Sequence, residues 1–207
     1  MVNRNTGGWR IGREMNRNEL AKSALMVIDM QRYFLEPGAT AYLAPPRRLV
    51  PNALRLTRAF RAAGRPIAFT RHAHQRGDAA GQMERWWRGR LPRIGESGSE
   101  LIPEIVPGSG ELLLTKQRYS AFEGTGLVRW LARRDVEAVV ICGVMTNLCV
   151  ETTARHAFLK ELQPIIVRDA CASSKRKFHE ASLTNLEYGF AYITTTRDVV
   201  CALEGVR

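Results

Sequence analysis

Short apolar runs alternate along the chain with longer segments in which apolar residues recur every three to four positions. The runs Ala24–Asp29, Pro66–Thr70, Glu111–Thr115, Ala138–Cys142, Pro164–Val167 and Ala191–Thr195 read as strands. Several are apolar at consecutive positions, as expected of a parallel sheet covered on both faces. Helical spacing appears near Arg47–Ala63, Gly126–Arg134, Thr146–Leu162 and Lys175–Tyr188; in the last, Phe178, Ala181, Leu183, Leu186 and Phe190 form one apolar stripe. The alternation predicts a single doubly wound α/β domain over residues 23–207, with helices on both faces of the sheet. In such sheets, sites gather at the carboxyl ends of the strands. The stretch Arg71–Gly110 is the longest without a clear period. It is rich in Gly, Pro and Arg and carries Trp86-Trp87, the profile of a lid or interface element.

Composition narrows the picture. The chain has 207 residues, 45% of them apolar, enough for one sizeable core. No apolar run approaches the roughly 18 residues of a membrane helix, so no membrane partner is expected. Residues 1–22 are polar and basic without an apolar stretch; they read as a tail, or an arm for a partner subunit, rather than a secretory signal. The net charge is +11, from 31 basic and 20 acidic residues. The arginines are scattered over amphipathic segments, with no helix-turn-helix, zinc-finger or aromatic sheet motif. No nucleic-acid partner is therefore expected. Four cysteines (Cys142, Cys149, Cys171 and Cys201) include no CxxC pair, which fits reduced thiols in a cytoplasmic protein.

Three polar residues close predicted strands or the turns after them. Asp29 ends Ala24–Asp29, Lys116 follows Glu111–Thr115, and Cys149 follows the Val139–Cys142 run and its Gly143 turn. Parallel strands would bring all three to one sheet edge, the arrangement of a nucleophile, a base and a charge-stabilising cation. Thr146 is a candidate N-cap. Cys149 would then sit in the first helical turn, where the helix dipole favours thiolate and backbone N–H groups can hold an oxyanion. Taken singly, each has a plainer reading: a loop carboxylate, a solvated lysine, a buried cysteine packed as a small hydrophobe. Cys142 lies in a strand and is assigned to packing; Cys171 and Cys201 are assigned no role.

Three blocks carry a resemblance: Val27-Ile28-Asp29-Met30-Gln31, Lys116-Gln117-Arg118-Tyr119-Ser120-Ala121-Phe122-Glu123-Gly124-Thr125 and Gly143-Val144-Met145-Thr146-Asn147-Leu148-Cys149-Val150. In order and spacing, from about Ser23 to Val199, they resemble the signatures of the isochorismatase-like cysteine hydrolase superfamily. The resemblance implies a six-stranded parallel sheet and an Asp29–Lys116–Cys149 catalytic triad. It also implies a cis peptide between Val144 and Met145 and an oxyanion hole from the Met145 and Cys149 N–H groups. The implied reaction is hydrolysis of a small amide, ureido or carbamoyl compound through a thioester, without a cofactor, in a homodimer or tetramer. The Arg118–Phe122 stretch looks more like the N-carbamoylsarcosine, biuret and ureidoacrylate hydrolases than like nicotinamidases. His72 and His74 stand near the place where nicotinamidases bind a metal through Asp-x-His. With His72 in the Asp position and no third ligand in view, the expectation is a locally hydrogen-bonded pair and no metal. Phe34, Trp86, Tyr119 and Phe122 follow the signature residues or the lid closely enough to line the substrate cleft, and Trp87 shares the expectation. Two alternatives stand: a vinyl-ether hydrolase of isochorismatase type, against which Cys149 speaks, and a non-catalytic binding protein on the same fold.

Overall fold

A computed structural model describes residues 20–78 and 81–205. Six parallel strands run β1 (Ser23–Ile28), β2 (Ile67–His72), β3 (Leu112–Lys116), β4 (Ala138–Val144), β5 (Gln163–Ala172) and β6 (Tyr192–Thr194). They pair in the order β3-β2-β1-β4-β5-β6. The helices are α1 (Arg32–Leu35), α2 (Leu49–Ala62), α3 (Gln82–Trp87), α4 (Leu127–Ala132), α5 (Glu151–Leu159), α6 (Arg176–Gly189) and α7 (Thr196–Glu204). A π-helical turn, Thr146–Val150, precedes α5.

The doubly wound expectation holds, and the packing shows why. Every residue of β1 is buried. Leu25 and Val27 pack with Leu56 and Phe60 of α2 and Val199 and Leu203 of α7. Ala24, Met26 and Ile28 face the other way, onto Leu131 of α4, Ala154 of α5 and Leu186 of α6. An alternating polar face would have no partner here, so the strand is apolar at every position. Leu20 is also fully buried. The compact unit therefore begins before the predicted boundary at residue 23; the rest of the basic arm lies outside the described residues.

Besides the short helices α1 and α3, which the spacing did not predict, the structure departs from the predicted elements in three places. The Thr146–Leu162 helix is divided into the π turn and a shorter α5. Strand β5 runs on to Ala172 because three extra residues bulge between its pairings with Ile141 and Gly143. The bulge carries Asp169, whose carboxylate accepts from Asn52 Nδ2, Thr196 N and Thr196 Oγ1. Helix α7 was absent from the expectation, although Thr195 caps it through the Asp198 N–H. Among the described residues no helix is long and apolar enough to cross a membrane.

Candidate active site

Strand β1 delivers Asp29 to the carboxyl edge of the sheet with φ +48°, the left-handed region that Asp tolerates better than most residues. Its N–H donates to the Thr70 carbonyl at 3.1 Å. The Thr70 hydroxyl donates to Asp29 Oδ1 at 2.6 Å, which fixes the carboxylate plane. Lys116 ends β3, two strands away, and its side chain spans β2. Its Nζ lies 2.7 Å from Asp29 Oδ2, with both side chains fully buried. Oδ2 has no aligned hydrogen bond, so this contact is an ion pair that leaves an acceptor position open. The ammonium also donates to the Arg118 carbonyl at 3.1 Å and to Cys149 Sγ at 3.2 Å. Burial acts against the charge on Lys116, yet its pKa is raised, because Asp29 and Cys149 outweigh that penalty.

Cys149 arrives on the π turn. The strand before it bends at Gly143, with φ +117°; a Cβ there would stand 2.0 Å from the Ile28 carbonyl oxygen, so only glycine lets β4 run beside β1. The Val144–Met145 peptide is cis. Two expectations need correction. Thr146 is not an N-cap: its hydroxyl pairs with His179 Nδ1 of α6 at 2.8 Å, and the turn has no side-chain cap. Nor is the Cys149 thiol depressed. Burial pushes it up to about 12; Lys116 opposes the shift and Asp29 adds to it. The partial charge of a helix end, about half a unit, does not offset the loss of water around a sealed sulfur.

Cys149 forms part of the wall of a narrow cavity of about 60 Å³. Phe34, Met83, Trp87, Leu91, Tyr119 and Leu148 supply half of the rest, and His72 and Arg90 are its polar members. The polar ends of these rings face elsewhere. Trp87 Nε1 donates to the Tyr119 hydroxyl at 2.9 Å, and the Tyr33 hydroxyl donates to the Arg90 carbonyl at 2.8 Å. With these polar ends paired, the three aromatic rings offer the cavity mainly apolar surface.

Lys116 thus contacts both Asp29 and Cys149, whose carboxylate oxygen and sulfur lie within 4.8 Å of each other, and Phe34, Tyr119 and Met145 line the cavity. Trp86 and Phe122 do not. Trp86 is 70% exposed, because neighbours on a helix point about 100° apart and Trp87 takes the inward position. Phe122 is buried in the core below Cys149, its ring tilted against His156. Sequence reasoning missed Thr70 and Gln31. Gln31 Oε1 accepts from the His72 N–H at 2.7 Å, and its Nε2 donates to the His72 and Ser99 carbonyls. Its side chain thereby clamps the end of β2 beside Asp29. No local pattern announces either role; both follow from which strands become neighbours.

His72 and His74 lie with their Nε2 atoms 3.1 Å apart, and both Nδ1 atoms are buried without a partner. Burial, then the Lys116 charge, pushes His72 down to about 3, so it is neutral. A metal does not fit the donors present. The Asp29–His72–Cys149 group spans less than 4.8 Å, but the Lys116 ammonium already sits between Asp29 and Cys149. Near His74, Glu84 is held by Arg93, and Asp78 accepts from Gln75 N and Gln117 Nε2.

The isochorismatase domain model matches residues 23–198. The chain is 40% identical over 174 residues to Nicotinamidase 3 of Arabidopsis thaliana, covering 83% of each. Among solved structures it is similar to a cysteine hydrolase from Pseudomonas syringae pv. phaseolicola, with a TM-score of 0.88, 29% identity and coverage of 95% of this chain and 98% of that one. It is also similar to N-carbamoylsarcosine amidase from Thermoplasma acidophilum, with a TM-score of 0.75, 30% identity and coverage of 84% and 96%.

Proposed function

The chain belongs to the isochorismatase family of hydrolases, and on that premise we propose that it cleaves the C–N bond of a small carboxamide with an uncharged, apolar acyl part. The observation that carries the reading is the buried Lys116 ammonium, 2.7 Å from the Asp29 carboxylate and 3.2 Å from the Cys149 sulfur, at the wall of an apolar cavity.

The resting nucleophile is a thiol. As its sulfur attacks the amide carbon, the proton passes to the Asp29 carboxylate, and Lys116 stabilises the negative charge wherever it resides in the pair. The Met145 and Cys149 N–H groups hold the oxyanion. The neutral Asp29 carboxyl then protonates the nitrogen, the C–N bond breaks and the amine or ammonia leaves a thioester. Asp29 next takes a proton from water, whose oxygen attacks the thioester. The C–S bond breaks and the proton returns to sulfur.

The apolar walls favour aryl and short alkyl amides over the ureido and carbamoyl acids expected from the Arg118–Phe122 stretch, whose polar groups would lose water without gaining partners. The name Nicotinamidase 3 of the Arabidopsis thaliana relative denotes an aromatic amide as substrate, in keeping with this preference. A vinyl-ether dicarboxylate has still less support, since the cavity offers its two charges little besides the exposed Arg90 at its wall. The test is ammonia release from benzamide, nicotinamide, isobutyramide, biuret and N-carbamoylglycine, with Cys149→Ala as blank. We expect turnover of the first three to exceed that of the last two, and a fall of at least ~10⁴-fold in the variant. Turnover of isochorismate by the Cys149→Ala protein, with no ammonia from any amide, would overturn the reading.

A further inference from the structure

A second and larger cavity, about 720 Å³, opens behind the π turn, between the start of α2, the β5 bulge and the first half of α6. It shares no lining residue with the apolar cavity. Two of its wall residues brace the turn that carries Cys149: His179 bonds Thr146, and Ser173 bonds Asn147.

Its charges are unbalanced where it meets solvent. Glu180 is paired with Arg176 at 2.6 Å, and hydrogen bonds from Asn52 and Thr196 orient the Asp169 carboxylate without cancelling its charge. Arg48 and Arg168 also line the wall, and among the described residues neither guanidinium has a hydrogen-bond or ion-pair partner. Ser173 and Ser174 lead into α6, a 14-residue helix whose N-terminus has no side-chain cap. Its first N–H groups therefore lack an acceptor from the chain's own side chains, at the helix end that attracts anions. Leu43, Pro46 and Leu183 give the same cavity an apolar side.

Other occupants fit poorly. The chain's own residues 1–19 carry four arginines against two glutamates and would meet like charge. A symmetric second copy would bring the same two arginines to face the first pair.

We propose that this cavity binds a phosphate-bearing small molecule. Arg48, Arg168 and the α6 N-terminus hold the phosphate, and Leu43, Pro46 and Leu183 cover the organic part. The volume suits a ligand of nucleotide size better than a bare phosphate. Guanidinium and helix N–H groups together match phosphate oxygens in charge and in direction.

The test is calorimetric titration of the full chain at about 50 mM salt with ADP, pyrophosphate and adenosine. We expect both anions to bind, ADP more tightly than pyrophosphate, and adenosine alone to give no heat. The Arg48→Gln/Arg168→Gln protein should bind either anion at least ~10-fold more weakly, while Arg48→Lys/Arg168→Lys, which keeps the charge and loses the planar fork, should fall between it and the parent. Both arginines are exposed, so the variants should melt as the parent does. Absence of heat from both anions up to about 10 mM, or undiminished binding by the Gln variant, would overturn the proposal. Pyrophosphate binding as tight as ADP would remove the organic part from it.

Discussion

The floor and the roof of the narrow cavity are built in opposite ways. The floor consists of two strand ends and the turn that follows a third: Asp29 and Lys116 close β1 and β3, Cys149 sits on the π turn after β4, and all three are buried. The roof, residues 82–92, is a short helix and a loop. Its Met83 and Leu91 pack with Trp87 and Tyr119, and Arg93 Nη2 holds it by donating to both Glu84 carboxylate oxygens at 2.8 and 3.0 Å. Charge in the floor cannot leave without a large penalty, whereas the roof is secured by partly exposed contacts of small individual worth. In the proposed reaction the floor sets which bond is attacked and the roof sets what shape reaches it.

The hardest test of the floor is Lys116→Met. It strands a buried carboxylate, and the loss of one partner of a buried ion pair costs about 3–5 kcal/mol. Denaturant melts should show that loss, and turnover should fall at least ~10²-fold. An equally stable, active variant would mean that the ion pair does not organise the site.

For the roof, Trp87→Ala removes an aromatic wall worth about 1.5–3 kcal/mol of burial. We expect KM to rise roughly 10–100-fold with kcat within a few-fold, in steady-state assays on the preferred amide. A matching fall in kcat would assign Trp87 to the chemistry rather than to binding.

A pH series sharpens the contrast further. The His72 ring titrates near 3 when folded, and an unfolded histidine near 6.5. Between those values the unfolded chain carries one more proton. Stability from this group is therefore present above about 6.5 and is lost as the pH falls toward 3, at up to about 1.4 kcal/mol per unit. The His72→Gln protein should show a flatter acid limb in urea melts; an unchanged limb would place the acid sensitivity elsewhere. The smallest effect is expected from Trp86→Ala. Its ring is turned to solvent, so kinetics and melting should stay within about twofold of the parent.

The floor was legible in the sequence because strand ends announce themselves. An apolar run that stops at Asp29, another at Lys116, and a run-plus-glycine before Cys149 are each local signals. A parallel sheet turns local strand ends into one spatial edge. The roof was opaque for the opposite reason. Residues 71–110 have no sustained period, so the inward turn of Trp87 and the outward turn of Trp86 could not be separated. Phe122 failed as a cavity residue because the signature marks its position along the chain, not the side of the sheet it meets. Helix α7 escaped because it is nine residues long and follows a three-residue strand.

The sequence by itself determined the doubly wound sheet and the sheet edge at which Asp29, Lys116 and Cys149 gather, since apolar periodicity and chain order specify them; their assignment as a triad came from the resemblance of the three blocks that hold them. Only the tertiary structure decided the charge state of the sulfur, the part played by Thr70 and Gln31, the apolar shape of the cavity and the second, basic one behind it. Those properties depend on how much water each group loses and which distant group replaces it, and neither quantity is written in the neighbouring residues.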